Sequence, residues 1–226
     1  MLNLEKAGDG VRVLHMRDGE NRMNRTWLDG MNALLEEVEH DPAARALVTT
    51  GEDRFYSNGL DLEWLLLPGT EDIREFVVDA EALLARLLGF PTTTVAACNG
   101  HTYAAGAMLA LCHDYRVMRA DRGYFCLPEV DLGIPFTAGM DLLVKTRMPL
   151  NVAHDLMVSG RRIGGEEAMA LGIVHDAVAE HEVLASAVEL AGRLGGKDPA
   201  IIGPIKRRMN AATIELLLAS QGTAPA

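Results

Sequence analysis

Apolar residues change their spacing along the chain, and the changes mark its elements. Val11 to Met16 alternates with Arg12 and His15, which predicts a strand. Asp18-Gly19-Glu20-Asn21 predicts a turn. Leu28, Met31, Leu34, Leu35 and Val38 recur at helical spacing, so a helix capped by Thr26 is expected to run to about His40 and to stop at Asp41-Pro42. Arg45 to Thr50 reads as a short strand and Arg54 to Leu60 as a loop. A second amphipathic helix is expected over Glu71 to Gly89, with Ile73, Phe76, Val77, Ala80, Leu83, Leu84, Leu87 and Leu88 on its apolar side and Gly89 as its cap. Thr92 to Cys98 is β-rich, and Ala104 to Leu111 is a helix of small and apolar residues buried on all sides.

His113 to Arg119 and Tyr124 to Leu127 predict two further strands, and Ile173 to Val178 a last one. Helices are expected over Phe136 to Thr146 and Asn151 to Ser159, and throughout the chain from Glu180 onward. Asp198-Pro199 is a helix-start signal, and Pro204 either kinks that helix or opens the next. Strands alternate with helices through the first two thirds, and helices dominate the end. The fold class is therefore α/β, with a core over 1–178 and a helical region over 179–226.

Composition narrows the function classes. The 226 residues are 49% hydrophobic but only 5% aromatic, so the core must be mostly Ala, Leu, Val and Met. A net charge of −11, from 21 basic against 32 acidic residues, opposes a nucleic-acid groove. Cys98, Cys112 and Cys126 lie in apolar segments without a C-x-x-C pair, which suits buried thiols in a reducing compartment and neither a disulfide framework nor a metal knuckle. The N-terminus has no long apolar run, the longest one elsewhere (near Tyr103 to Cys112) is too short for a bilayer, and Thr-Ala-Pro-Ala226 is no peroxisomal address. A cytoplasmic protein with neither nucleic-acid nor membrane partners is expected.

Glu129 carries the strongest chemical signal. It sits within Tyr124-Phe-Cys-Leu-Pro-Glu-Val-Asp-Leu-Gly-Ile-Pro-Phe136, and burial among such neighbours raises a carboxyl pKa toward the range where it can take and return a proton. An exposed turn beside Asp131 is the competing reading. Two glycine-bearing segments, Phe55 to Asp61 and Gly100 to Gly106, can present main-chain N–H groups to an anion. Small residues at Ala104, Ala105 and Gly106 suit close approach of a substrate carbonyl, and equally suit close packing alone. Ser57 lies in no G-x-S-x-G elbow, and Gly100 to Gly106 is no dinucleotide fingerprint. His101 and His113 read as structural. Trp64 and Leu65 to Leu67 are candidate acyl-pocket residues, and Lys206-Arg207-Arg208 a candidate for a nucleotide.

Five segments in order make the chain resemble the enoyl-CoA hydratase/isomerase (crotonase) superfamily. They are Asn21-Arg-Met-Asn24, Phe55-Tyr-Ser-Asn-Gly-Leu-Asp-Leu62, Thr94-Val-Ala-Ala-Cys-Asn-Gly-His101, Asp114-Tyr-Arg116 and Pro128-Glu-Val-Asp-Leu-Gly-Ile-Pro135. The resemblance implies a spiral of ββα units, with C-terminal helices that assemble a homotrimer or hexamer. It implies an acyl-CoA substrate, with coenzyme A present only as part of the thioester, and neither a tightly bound cofactor nor a metal. It assigns the oxyanion-hole N–H groups to Asn58 and Ala105 and the catalytic acid to Glu129. Arg22, Ser57, Asn58, Gly59, Leu60, Asp61 and Ala105 become substrate-binding residues, and Arg54 a further candidate for the CoA phosphates. Typical hydratases carry a second glutamate, where this sequence has Met108. Methionine offers neither proton nor strong acceptor. The implied reaction is therefore transfer of a proton between C2 and C4 of a 3-enoyl-CoA, a Δ3,Δ2-enoyl-CoA isomerisation. An enoyl-CoA hydratase or other acyl-CoA lyase working through Glu129 alone, and a non-catalytic acyl-CoA-binding protein, stand as alternatives. Dienoyl-CoA isomerases have an aspartate where this chain has Thr137.

Overall fold

The structure is a computed structural model, and it describes residues 1–70 and 72–219. The expectations at Glu71, Ser220 and Ala226 fall outside those residues. Strands β1 (Leu2–Lys6), β2 (Val11–Met16), β3 (Ala46–Thr50), β5 (Thr93–Cys98), β7 (Tyr115–Arg119) and β9 (Asp176–Val178) form one sheet in that order. Only the β1–β2 pair is antiparallel. A second, parallel sheet orders β4 (Phe55–Ser57), β6 (His101–Tyr103) and β8 (Phe125–Cys126). From β3 onward, successive strands thus alternate between the two sheets. Strand β4 lies inside the expected loop, β6 is too short to announce itself by alternation, and β1, where Leu2 and Leu4 alternate with Asn3 and Glu5, is an element the expectations omitted.

Helix α1 (Arg25–His40) begins two residues earlier than expected, because Asn24, not Thr26, caps it by accepting the Trp27 N–H. Four-residue α2 (Leu62–Leu65) follows β4, and α3 (Ile73–Leu88) starts on the Asp72 cap. All eight residues of α4 (Ala105–Cys112) are buried, as their composition requires. The carbonyls at its C-terminal end accept from two guanidinium groups. Arg147 donates to Leu111 O (2.9 Å) and His113 O (2.7 Å), and Arg116 also reaches His113 O (2.9 Å). These cations suit the negative end of a helix dipole.

Past β8 come α5 (Glu129–Leu132), α6 (Ala138–Arg147), α7 (Leu150–Ser159) and α8 (Gly165–Ala170). Helix α9 (Val183–Leu194) folds back over the larger sheet and buries Val183, Ala187 and Ala191 against Val48, Val95 and Val117. Helix α10 (Pro199–Met209) runs through Pro204, and α11 (Ala211–Ala219) packs on α3 and α6. Lys206 is not a solvated cation. It is buried on α10, donating to Thr92 O and to Asp114 at 2.9 Å, which fastens the C-terminal helices to the sheet. Among the described residues, no helix is long and apolar enough to cross a membrane.

Candidate active site

Strands β4 and β6 end side by side, and a cavity of about 450 Å³ opens where they stop. Leu60, Ala105, Met108 and Glu129 share its wall with Phe136 and Met140. The turn into α4 explains how Ala105 faces it. The Ala104 carbonyl accepts from Ala107 N (2.9 Å) and Met108 N (3.1 Å), so it points into the helix. In a trans peptide the next N–H points the opposite way, out of the helix end. Ala104 adopts φ +50°, ψ −127° to make this turn, a conformation costly for a residue with a Cβ.

On the other wall the expected donor is corrected. The Asn58 N–H is taken by Glu20 O (2.9 Å), and its side-chain amide donates to the Glu20 carboxylate (2.8 Å). Asn58 therefore has no main-chain proton left for an oxyanion. Two residues on, the Gly59 carbonyl accepts from Met23 N (2.8 Å), which turns the Leu60 N–H away from that segment. In an extended run, residues 58 and 60 would point their N–H groups to the same side. Gly59, at φ +82°, breaks that rule. Among the described residues, neither Leu60 N nor Ala105 N has a protein acceptor.

Ser57 and Asp61 are loop-holding residues and do not line the cavity. The Ser57 hydroxyl, fully buried, donates to Asn21 O (2.8 Å) and accepts from Gly59 N (3.2 Å). Asp61 caps α2 by accepting the Trp64 N–H. Gly59 is pressed against the oxyanion turn. Arg22 stands on the cavity wall, but Glu20 (2.8 Å), Glu63 (3.3 Å) and Asp61 (4.0 Å) already surround its charge. Arg162, lying over the Tyr103 ring, is the cation of this wall without a carboxylate within ion-pair distance. A separate polar cleft of about 690 Å³ lies at the opposite, N-terminal ends of β4, β6 and β8, lined by Arg54, His101 and Arg119 among others, and does not include Glu129. Arg54 and His101 thus belong to a different surface.

Glu129 opens α5 and is 7% exposed. Its sequence neighbours do not bury it: Val130, Leu132 and Ile134 are exposed. The apolar wall combines Phe136, from the far end of the same stretch, with Met108 and Met140 from outside it. Lost hydration lifts the carboxyl from 4.5 to about 7, and its Oε2 is buried without a hydrogen-bond partner. Met108, 1% exposed, occupies the position of the missing second acid. Glu63 and Asp131, the other carboxylates of the wall, are exposed. Among the described residues, no group of His, Cys, Asp and Glu is arranged to hold a metal.

A desolvated acid and two residues whose main-chain N–H groups lack protein acceptors among the described residues thus share one cavity wall. The family profile described as enoyl-CoA hydratase/isomerase matches residues 6–224. The chain belongs to the enoyl-CoA hydratase/isomerase family. Among its relatives, it is 36% identical to enoyl-CoA delta isomerase 2, peroxisomal, of Arabidopsis thaliana, over 87% of this chain and 86% of that one. With enoyl-CoA delta isomerase 3 of the same plant the identity is 38%, over 86% and 83%. A probable enoyl-CoA hydratase of Mycobacterium tuberculosis superposes with a TM-score of 0.89 at 26% identity, covering 97% of this chain and 92% of that one. A mycobacterial structure described as an enoyl-CoA isomerase gives 0.88 at 26%, covering 97% and 95%. The fold is thus the α/β crotonase fold with C-terminal helices, and the protein is an enzyme of this family.

Two stability measurements check the site's geometry. Ala104→Gly removes the strained Cβ, and thermal melting should show a gain of about 1 kcal/mol after the extra unfolded-state freedom of glycine is subtracted. A lower melting point would mean that the turn carries no strain. For Glu129, the folded-state pKa lies above the unfolded one, so the folded protein holds the proton more tightly between pH 4.5 and about 7 and loses stability as pH rises through that window. Glu129→Gln should therefore be more stable than the parent at pH 8, by up to about 3 kcal/mol, and equal to it near pH 4. Urea titrations at the two pH values measure the gap, which should vanish at the lower one.

Proposed function

We propose that the protein is a Δ3,Δ2-enoyl-CoA isomerase acting through Glu129 alone. The observation that carries this reading is the pairing of one buried acid with Met108 in a cavity that also receives the free N–H groups of Leu60 and Ala105. The thioester oxygen of a 3-enoyl-CoA accepts from those two donors. Glu129, as carboxylate, removes a proton from C2. The C–H electron pair moves into the thioester, and the charge spreads over a dienolate whose oxygen is held by the two amides. The same carboxyl group, now protonated, delivers its proton to C4. The double bond ends between C2 and C3, giving trans-2-enoyl-CoA.

A carboxyl near pKa 7 suits both halves of this cycle, since it is a competent base when ionised and a competent acid once loaded. Hydration instead requires a second group to activate or protonate alongside water, and a methionine thioether does neither. The names of the plant relatives, enoyl-CoA delta isomerases, support the same choice. Exposed apolar side chains on α10 and α11, among them Ile201, Ile205 and Met209, support self-association through the C-terminal helices.

Glu129→Gln should lower kcat for 3-enoyl-CoA by roughly 10²- to 10⁴-fold while leaving acyl-CoA affinity within a few-fold. In the parent enzyme, kcat/KM should fall tenfold per pH unit below about 7, where the free enzyme's base is protonated, and that limb should be absent in the variant. Full turnover by the variant, established by following conjugation of the product at several pH values, would remove Glu129 from the mechanism. Met108→Glu puts a second carboxyl group on the wall. It should introduce hydration of 2-enoyl-CoA that the parent lacks, and an equal hydration rate in parent and variant would refute the single-acid reading.

A further inference from the structure

Main-chain N–H groups between residues 58 and 61 are almost all committed. Asn58 N donates to Glu20 O, Gly59 N to the Ser57 hydroxyl and Asp61 N to Met23 O. Leu60 is the exception, and the segment that enforces the pattern runs from Glu20 to Met23. Its centre is Asn21, fully buried and at φ +50°. Asparagine tolerates this left-handed conformation better than most residues with a side chain.

Each polar group of Asn21 is engaged. Its Nδ2 donates to Tyr56 O (3.0 Å) and Phe55 O (3.4 Å), and its Oδ1 accepts from Asp18 N (2.9 Å). Its main-chain N–H donates to Asp18 O (2.9 Å), and its carbonyl accepts from the Ser57 hydroxyl (2.8 Å). The side chain thus grips the carbonyls of β4, while the main chain grips the hydroxyl that in turn holds Gly59. Asn21 is absent from the cavity wall. It is buried beneath the loop.

We infer that Asn21 is a positioning residue for the oxyanion hole, setting the direction of the Leu60 N–H through Tyr56, Ser57 and Gly59. This rests on the proposal that Leu60 and Ala105 hold the thioester oxygen. An oxyanion donor works only within a narrow distance of the oxygen, so a small rotation of the Gly59–Leu60 peptide weakens transition-state binding more than substrate binding. The recognised group is a thioester carbonyl, and the effect of Asn21 falls on its polarisation.

The test uses the full-length enzyme and butyryl-CoA labelled with ¹³C at the carbonyl. Isotope-edited infrared difference spectra read the thioester C=O stretch of the bound ligand, which hydrogen bonds lower. In the parent the band should move to lower frequency on binding. In Asn21→Ala at least half of that shift should be lost, kcat for 3-enoyl-CoA should fall by roughly 10- to 100-fold, and KM should stay within about threefold. The acidic limb of the pH profile should remain near 7, since Glu129 is untouched. Asn21→Gly retains access to the left-handed backbone but lacks the amide, and it should show the same loss. Where neither variant folds, Ser57→Ala, which deletes the relay to Gly59, supplies the measurement. A folded variant with the parent's band and kcat overturns the inference, as does a fall in kcat with an unmoved band. If the parent band itself does not move on binding, the oxyanion reading fails and this inference falls with it.

Discussion

The main chain at Gly59 lies so close to the start of α4 that a methyl group at residue 59 would stand 3.0 Å from both the Ala105 nitrogen and the Ala104 Cβ. A Cβ on Gly106 would likewise collide with the Ser57 carbonyl. This contact between two chain segments, made without side chains, brings the Leu60 and Ala105 amides to one cavity. Both sheets serve it. The larger sheet, clamped by α9, fixes the ends of β3 and β5, while the smaller one sets β4 beside β6 so that their exits adjoin. The cost is concentrated at Ala104, whose backbone occupies a region that glycine would enter freely.

Electrostatics follows from what fills the rest of the wall. Leucine, methionine and phenylalanine surround Glu129 and leave its Oε2 unpartnered, so the ionised form is poorly solvated. Several buried charges elsewhere in the molecule are compensated. Lys206 has Asp114, Arg12 has Asp41, and Arg116 has a set of carbonyls. Glu129 is the contrast, a carboxyl whose discomfort when ionised is useful to a group that must exchange a proton. His113, also buried, shows the other outcome. Burial pushes its imidazole down to about 4, and contacts with Leu109 O and Thr49 leave it a neutral structural group.

Much of the architecture was legible in the sequence because long elements carry long periodic signals. Helices α1, α3 and α7, and strands β2, β3 and β5, lie within a few residues of their apolar patterns. Strands of three residues or fewer, such as β4 and β6, contain too few positions to define a period, and their pairing depends on partners remote in the chain. At the site, Glu129 was visible by its surroundings in sequence, although Val130, Leu132 and Ile134 are exposed and Met108 and Met140 from outside the stretch complete the wall. That the Asn58 N–H is already taken, while Leu60 N is not, escaped the sequence because N–H direction depends on the φ of Gly59 and on main-chain partners at Glu20 and Met23, neither of which residue identity reveals. Ser57 and Asp61 appeared as ligand contacts for a related reason. Polar side chains in a glycine-rich turn look available until their main-chain partners are known.

The N–H groups of Leu60 and Ala105 that lack a protein acceptor among the described residues belong to the peptide backbone rather than to side chains. Genetic drift at positions 60 and 105 therefore changes the shape of the cavity while leaving both N–H groups in existence, unless the replacement is proline. The buried carboxyl has no such insurance, since it resides in the single side chain of Glu129. A lineage built on this scaffold can lose that acid by replacement of one residue, yet it keeps both backbone donors throughout.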